Sequence, residues 1–372
     1  MSEYQYYEFQ AIDRLLTDAE FESIKKLSSR GNVSRSQAIF VYNYGDFRYE
    51  PIEILSKHFD MMLYMANWGT RRLCFRLPKK LVNLEEITFY CVPDVITTSI
   101  VNDHVVIDIH FNSDGGYGWI EGDGILSELL ALRNDILQGD YRTLYIAWLG
   151  SLTQDNADDI DDQLEPPIPP GLKQISPHLK QLIEFLEIDA DLIEAASTES
   201  IEKLNCNLEI KQWLPKLTTT ERDKFLLQLL NGEPNVDKQL NKRLRQLADA
   251  DTNFKKNILE NGQRTASQLL AAAEKLDIEK KAKKQRAKEE ARIANLNALA
   301  PQETQLWVEV FQQINTKTTK GYEQAVKLLS DLKNLAHHLG TTDQFIAKVT
   351  KIQQDYSRYS ALKTRMIDQK II

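Results

Sequence analysis

The sequence predicts an α+β fold: an N-terminal mixed α/β domain with a small sheet, followed by an elongated all-α helical region. Three observations predict it. Apolar patterns of strand period alternate with helical ones over residues 1–152. Strand signals stop after residue 171. Between the two lies DNADDIDDQLEPPIPPG, where six acids repel one another and four prolines forbid helix, so residues 153–171 read as an acidic, proline-rich linker. A helical region with a long charged helix is expected over 172–300 and a helical hairpin over 301–372.

In chain order, residues 4–12 are aromatic-rich and alternate loosely, as a first strand does. Thr17 and Glu20 form a capping-box pattern ahead of a helix over 18–29. Residues 37–44 read as a strand. Pro51 suits the first position of a helix, and Ile52, Leu55, Phe59, Met62, Leu63 and Ala66 recur at helical spacing. This predicts one long helix stopped at Gly69. Leu73, Phe75 and Leu77 then alternate with Arg72, Cys74 and Arg76, the mark of a strand ended by Pro78. A short helix is expected over 84–91. Strand pattern returns over 96–111, where Val105, Ile107, Ile109 and Phe111 form one face and His104, Asp108 and His110 share the other with Val106. Residues 112–124 hold five glycines and read as a loop, and residues 126–137 as a helix. Residues 141–149 are a further apolar segment. Past the linker, helices are expected over 176–197, 208–216, 218–231, 236–249, 265–299, 304–314, 322–339 and 342–367.

Composition narrows the function classes. The chain has 372 residues, 42% of them hydrophobic, enough for real cores. No apolar run approaches the roughly 20 residues that span a bilayer, and the first residues, MSEYQYYEFQAID, do not have the form of a signal peptide. Cys74, Cys91 and Cys206 lack metal-ligand spacing and read as reduced thiols of a cytoplasmic protein. The net charge of −8 is uneven: residues 1–150 carry 14 Lys and Arg against 21 Asp and Glu, whereas residues 172–372 carry 32 against 27. Such a balance disfavours a general nucleic-acid coat but leaves a basic C-terminal face for an acidic partner.

Two resemblances add to this reading. The segments EYQYYEFQAIDR (3–14), YNYGDF (42–47) and FDMMLYMANWGTRRLCFRLP (59–78), continued by EPPIPPG (165–171), resemble an uncharacterised family of bacterial cytoplasmic proteins. That resemblance implies a bacterial cytoplasmic protein and carries no activity with it. Trp307, Tyr322, Ala325, Leu329, Leu332, Ala336, Gly340 and Phe345 resemble the helical hairpin that follows the zinc finger in bacterial SWIM-type proteins. It implies association with Swi/Snf-type ATPases and nucleic acid. The finger itself is absent, because the three cysteines are isolated.

Few residues offer chemistry. Asp108 and His110, about 7 Å apart along one strand face, can converge for metal or acid–base work, whereas His104 and Asp108, about 13 Å apart, cannot share one small ion. The other reading is a solvent-facing polar row. His58 and Asp60 flank Phe59 on the predicted helix and point to different sides, and His337 and His338 are adjacent surface residues. Residues 112–124 lack the Gly-Lys-Ser/Thr of a phosphate loop, and Asp114, Glu121 and Asp123 would repel phosphate. Arg71, Arg72 and Arg76 with Trp68 form a candidate anion or stacking surface; alternatively these arginines pair with Asp46, Asp60 or Glu85 across a sheet. KKAKKQRAKEEAR at 280–292 is a candidate nucleic-acid contact through Lys280, Lys281, Lys283, Lys284, Arg286 and Lys288, although Glu279, Glu289 and Glu290 dilute it and no aromatic interleaves it. Its bland counterpart is a solvated helix.

The function these features favour is a non-enzymatic cytoplasmic interaction or adaptor protein whose helical half docks a protein partner. One alternative is a nucleic-acid-associated accessory protein acting beside an ATPase. A second is a hydrolase or metal-dependent enzyme using Asp108 and His110 with Asp46 or Asp60. No motif implies a cofactor, and none sets the oligomeric state.

Overall fold

The structure is a computed structural model that describes residues 3–112, 122–154, 163–202, 213–233, 235–249 and 262–372. It divides into two compact units, Met1–Asp277 and Ile278–Ile372. The α+β class holds: among the described residues one antiparallel sheet lies in the first unit, and the remaining regular elements are helices.

Seven strands form the sheet: β1 (Gln5–Gln10), β2 (Asn32–Val33), β3 (Gln37–Tyr42), β4 (Met61–Ala66), β5 (Arg71–Pro78), β6 (Ile96–Val101) and β7 (His104–Phe111). Their order is β2-β3-β1-β4-β5-β7-β6. Every neighbouring pair is antiparallel. Helix α1 (Asp18–Lys25) starts on the Thr17–Glu20 capping box that the sequence shows, with Thr17 Oγ1 accepting from the Glu20 amide and Glu20 reaching back to the Thr17 amide.

The predicted helix over 51–66 is shorter than its apolar spacing suggests. Helix α2 spans Pro51–His58 only, and Phe59 is extended at φ −127°, ψ 169°. Residues 61–66 form β4 instead. Both faces of that strand are buried, so Met61, Met62, Leu63 and Met65 read as a continuous apolar run that fits a helical period equally well. Tertiary pairing decides it: β4 lies between β1 and β5 and hydrogen-bonds to both. Gly69, expected as a helix stop, takes φ +110° in the β4–β5 hairpin, where the Ala66 amide donates to the Thr70 carbonyl at 3.0 Å. Asp60 therefore lies at the entry to β4 rather than on a helix with His58.

One face of the sheet carries Met61, Leu63, Met65, Leu73, Phe75, Leu77, Val105, Ile107 and Ile109. They pack in one core with α3 (Leu84–Thr88), α4 (Ile125–Leu137), α5 (Arg142–Ser151), α6 (Pro177–Leu186), α7 (Ala190–Ser197) and the start of the helix Ala266–Leu299. All ten residues of α5 are buried, which is why residues 141–149 read as apolar without a period. The other face is covered by α1, α2 and the Phe47 loop over Tyr7, Phe9, Phe40 and Met62.

Residues 163–171 are packed into this unit rather than extended as a spacer. Leu164 bridges Thr265, the Glu165 amide donates to the Arg264 carbonyl at 2.9 Å, and Tyr90 Oη donates to the Pro167 carbonyl at 2.8 Å. Prolines remove donors, so beyond Glu165 the carbonyls of Pro167, Pro169 and Gly171 accept from the side chains of Tyr90, Ser200 and Arg142. The acidic residues 155–162 lie outside the described residues, as do most of the glycine loop and of the predicted helix over 208–216, and with it Cys206.

The expected helix over 176–197 is two, α6 and α7, separated by Glu187 in the left-handed region at φ +55°. Helices Thr219–Leu230 and Val236–Asp249 follow. In the second unit, Glu303–Asn315, Thr319–Leu339, Thr342–Asp355 and Ser360–Asp368 enclose a core of Trp307, Val310, Leu329, Phe345, Val349 and Met366. The predicted helix over 342–367 breaks at Tyr356–Tyr359, whose rings are tilted toward one another with centroids 5.6 Å apart and pack against that core. Gly340, at φ +71°, ends the preceding helix as the sequence predicts.

Candidate functional site

On the α2-bearing side of the sheet, antiparallel register sets Arg72 opposite His110 and Cys74 opposite Asp108. Arg72 reaches diagonally to grip Asp108 at both oxygens, Nε to Oδ1 at 2.9 Å and an Nη to Oδ2 at 2.6 Å. Cys74 Sγ donates to the same Oδ1 at 3.2 Å. Burial pushes the Cys74 thiol well up, and the Asp108 charge pushes the same way. The thiol is thus a hydrogen-bond donor and not a nucleophile. Burial, then the Arg72 charge, hold the His110 imidazole below its ordinary value and favour the neutral ring. Trp68 Nε1 donates to Thr70 Oγ1 at 3.0 Å, and Thr70 donates to Asn112 Oδ1 at 3.1 Å, beside His110. Trp68, Arg72, Asp108 and His110 therefore do gather, but as a row whose charges are satisfied within the sheet.

Arg76 leaves that row. Its Nη2 donates to Asp60 Oδ1 at 2.8 Å and its Nη1 to the Ser56 carbonyl at 3.1 Å. Asp60 Oδ2 accepts from the amides of Ile12 and Asp13, and Arg133 on α4 grips Asp13 bidentately while lying 3.5 Å from Asp60. Burial alone would raise the Asp60 carboxyl; Arg133, Arg76 and the two amides outweigh it and hold the group below the usual carboxylate range. Arg71, on the opposite face, donates to the Phe185 carbonyl at 2.9 Å and to Glu187 at 2.7 Å, capping α6. The three arginines of the predicted anion surface thus take three different partners, and the Arg76–Asp60 pairing is the one the sequence offers as an alternative. Asp46, another suggested partner, accepts from Gln5 at 2.7 Å.

Three clusters have no local sequence signal. Glu165, with a side chain 0% exposed, binds Tyr145 and Arg264, and Arg264 also donates to the Ala195 and Ala196 carbonyls at the end of α7. Glu8 accepts from Tyr6 Oη at 2.8 Å and Gln37 at 2.6 Å, and burial raises its carboxyl. Ser176, His178 and Asp135 meet, but both oxygens approach the same Nε2, at 2.9 and 2.8 Å, so the relay of a Ser-His-Asp triad is not formed. The non-local partners lie 20 to 99 positions apart, Glu165 with Tyr145 and Glu165 with Arg264, so only the fold brings them together.

His58 Nδ1 lies 3.6 Å from Glu20, too long for a hydrogen bond. His338 Nε2 contacts Asn297 at 2.9 Å on the surface. Among the described residues, no three His, Cys, Asp or Glu side chains are placed to hold a metal ion, and no helix is long and apolar enough to cross a membrane.

Two surfaces are left open instead. Helix Thr219–Leu230 has no buried residue, and Leu226, Leu227, Leu229 and Leu230 are 58%, 59%, 56% and 82% exposed. Residues 280–292 lie within the continuous helix Ala266–Leu299 and are exposed along their basic run, with Arg292 held by Glu289 at 2.7 Å.

Compared with protein-family models, with curated proteins and with solved structures, the chain matches none.

Proposed function

We propose that the chain is a cytoplasmic interaction or adaptor protein that works by holding a protein partner. The observation that carries this reading is the leucine face of helix Thr219–Leu230. Leu226, Leu229 and Leu230 are spaced i, i+3, i+4, and Leu227 adjoins Leu230, so one side of the helix presents contiguous apolar surface. Covering such a face from water is worth roughly 1.5–3 kcal/mol per fully buried leucine, enough for a few side chains to anchor an interface. The free thiols Cys74 and Cys91 fit a reducing compartment.

The test is capture from native lysate with the full chain and with Leu227→Gln/Leu230→Gln, two solvent-facing changes. The wild type is expected to retain a partner in near-stoichiometric amount and the double variant to lose it. No retained partner, or equal retention by the variant, overturns the reading.

A further inference from the structure

Charge divides at the boundary between the two units more sharply than along the sequence. Ile278–Ile372 carries 17 Lys and Arg against 10 Asp and Glu, a net of +7, whereas Met1–Asp277 carries 29 against 44, a net of −15. Within the basic unit the helix sorts its charges further. Lys281, Lys284 and Lys288 fall at i, i+3 and i+7, with Lys280 one turn before Lys284, so these four share one face. Glu279 and Glu290, eleven residues apart, fall together on the opposite face with Lys283 and Arg286 between them. Glu279 and Glu290 are therefore turned away from the lysine stripe, and Glu289, on its flank, is held by Arg292. Lys284 and Lys288 are exposed and make no ion pair among the described residues.

We propose that this stripe, Lys280, Lys281, Lys284 and Lys288, is a sequence-independent contact for the phosphate backbone of duplex nucleic acid. Lys281 to Lys288 covers about 10 Å of helix at 1.5 Å per residue. That is about three phosphates along one strand at 3.4 Å of duplex axis each. Lysines suit this task, being strongly hydrated point charges on flexible stems. A protein partner would need a desolvated apolar anchor, and the only small apolar side chains in 280–292 are Ala282, Ala287 and Ala291. A single strand would call for aromatic platforms, and this run has none. The acidic unit repels the same polyanion, which confines the contact to Ile278–Ile372.

The experiment is fluorescence anisotropy of the full chain with a labelled DNA duplex of about 25 base pairs, titrated from about 50 to about 200 mM salt. Neutralising three to four phosphates predicts a log–log salt slope of about −3 and an affinity loss of about 50- to 100-fold over that range. Lys284→Glu/Lys288→Glu should weaken binding by at least about tenfold and flatten the slope by about 2, whereas Lys283→Glu/Arg286→Glu on the opposite face should cost under about threefold. Absent or salt-independent binding, equal losses from the two pairs, or tighter binding of a single strand of the same length each overturn the proposal. Capture of a protein partner by the leucine face is a separate readout and stands or falls independently.

Discussion

The two units solve the problem of burial in opposite ways. Among the described residues, every buried polar or charged side chain lies in Met1–Asp277: Glu8, Asp60, Arg71, Arg76, Arg133, Arg142 and Glu165 carry the charges. The core of Ile278–Ile372 buries no acidic or basic side chain. A sheet with helices on both faces must fix many chain crossings, and the ion pairs sit at those crossings. Asp60 ties the segment after β1 to β5 and α4; Glu165 ties residues 163–165 to residue 264 and the end of α7. Helices packed as consecutive neighbours need no such ties, because their own ladders satisfy the backbone and apolar contact holds them. Buried pairs are weak evidence of added stability, but breaking one is costly, since the surviving charge is left unpaired. The first unit is thus the one that single charge removals and acid should damage.

The largest expected effect follows directly. Asp60→Ala strands Arg76 and the Ile12 and Asp13 amides and should destabilise the first unit by about 3–5 kcal/mol. Urea unfolding of the full chain, followed by far-UV circular dichroism, reads it; a loss under about 1 kcal/mol would show that the pair is not what holds these crossings. The matching change in the second unit is Leu329→Ala, at a fully buried position. It should cost about 2–5 kcal/mol through the cavity alone. Its cost should not change with pH, while that of Asp60→Ala should shrink only below about pH 4, as Asp60 itself titrates.

Acid should separate the units. Burial holds His58, His104 and His110 below their ordinary value. A depressed histidine leaves the unfolded chain binding more protons, so its stability contribution is complete above about pH 6.5 and is lost as pH falls from there. Asp60 is also depressed, so its contribution is complete above about pH 4 and is lost further into acid, as pH falls through its folded value. Each pKa unit of depression corresponds to about 1.4 kcal/mol. Calorimetric scans from about pH 7 to about pH 5 should show the transition of the first unit moving down while that of the second stays, and His110→Asn should remove part of the movement. Two transitions that move together would erase the contrast.

The smallest effects are local ones shared by both units. Thr17→Ala removes the cap of α1 and should cost about 1 kcal/mol. Gly340→Ala should cost about 1–2 kcal/mol by forcing a side chain into the left-handed region. Nothing lies within 4 Å of the added carbon, so that loss is conformational and not steric. Thermal melts of the two variants would check both; a neutral Gly340→Ala would show that the helix end relaxes.

The residues that sequence reading placed well are those whose signal is local. Thr17 and Glu20 cap a helix because three residues separate them, and Tyr322, Leu329 and Leu332 share a face because of helical period; both facts are present in any isolated segment of the chain. The Arg76–Asp60 pair is open in the sequence as an alternative because the domain around these arginines is acidic. What failed was period where every face is buried. Residues 61–66 fit a helix and a strand alike until β1 and β5 flank them. Arg72 was matched to the wrong acids because its partner, Asp108, depends on β5 pairing with β7, a register no local pattern contains. Glu165 read as linker charge because Arg264, its partner, lies 99 residues away.

By itself the sequence determined the fold class, the capped helix ends, the apolar faces of β5 and β7 and the basic run at 280–292, since these follow from period, caps and composition within a few turns of chain. Only the tertiary structure decided that 61–66 is a strand, that 163–171 is packed in and that Arg71, Arg72 and Arg76 go to three different partners. Those choices rest on free energies between segments distant in sequence, where burial leaves each charge only the partner the fold supplies.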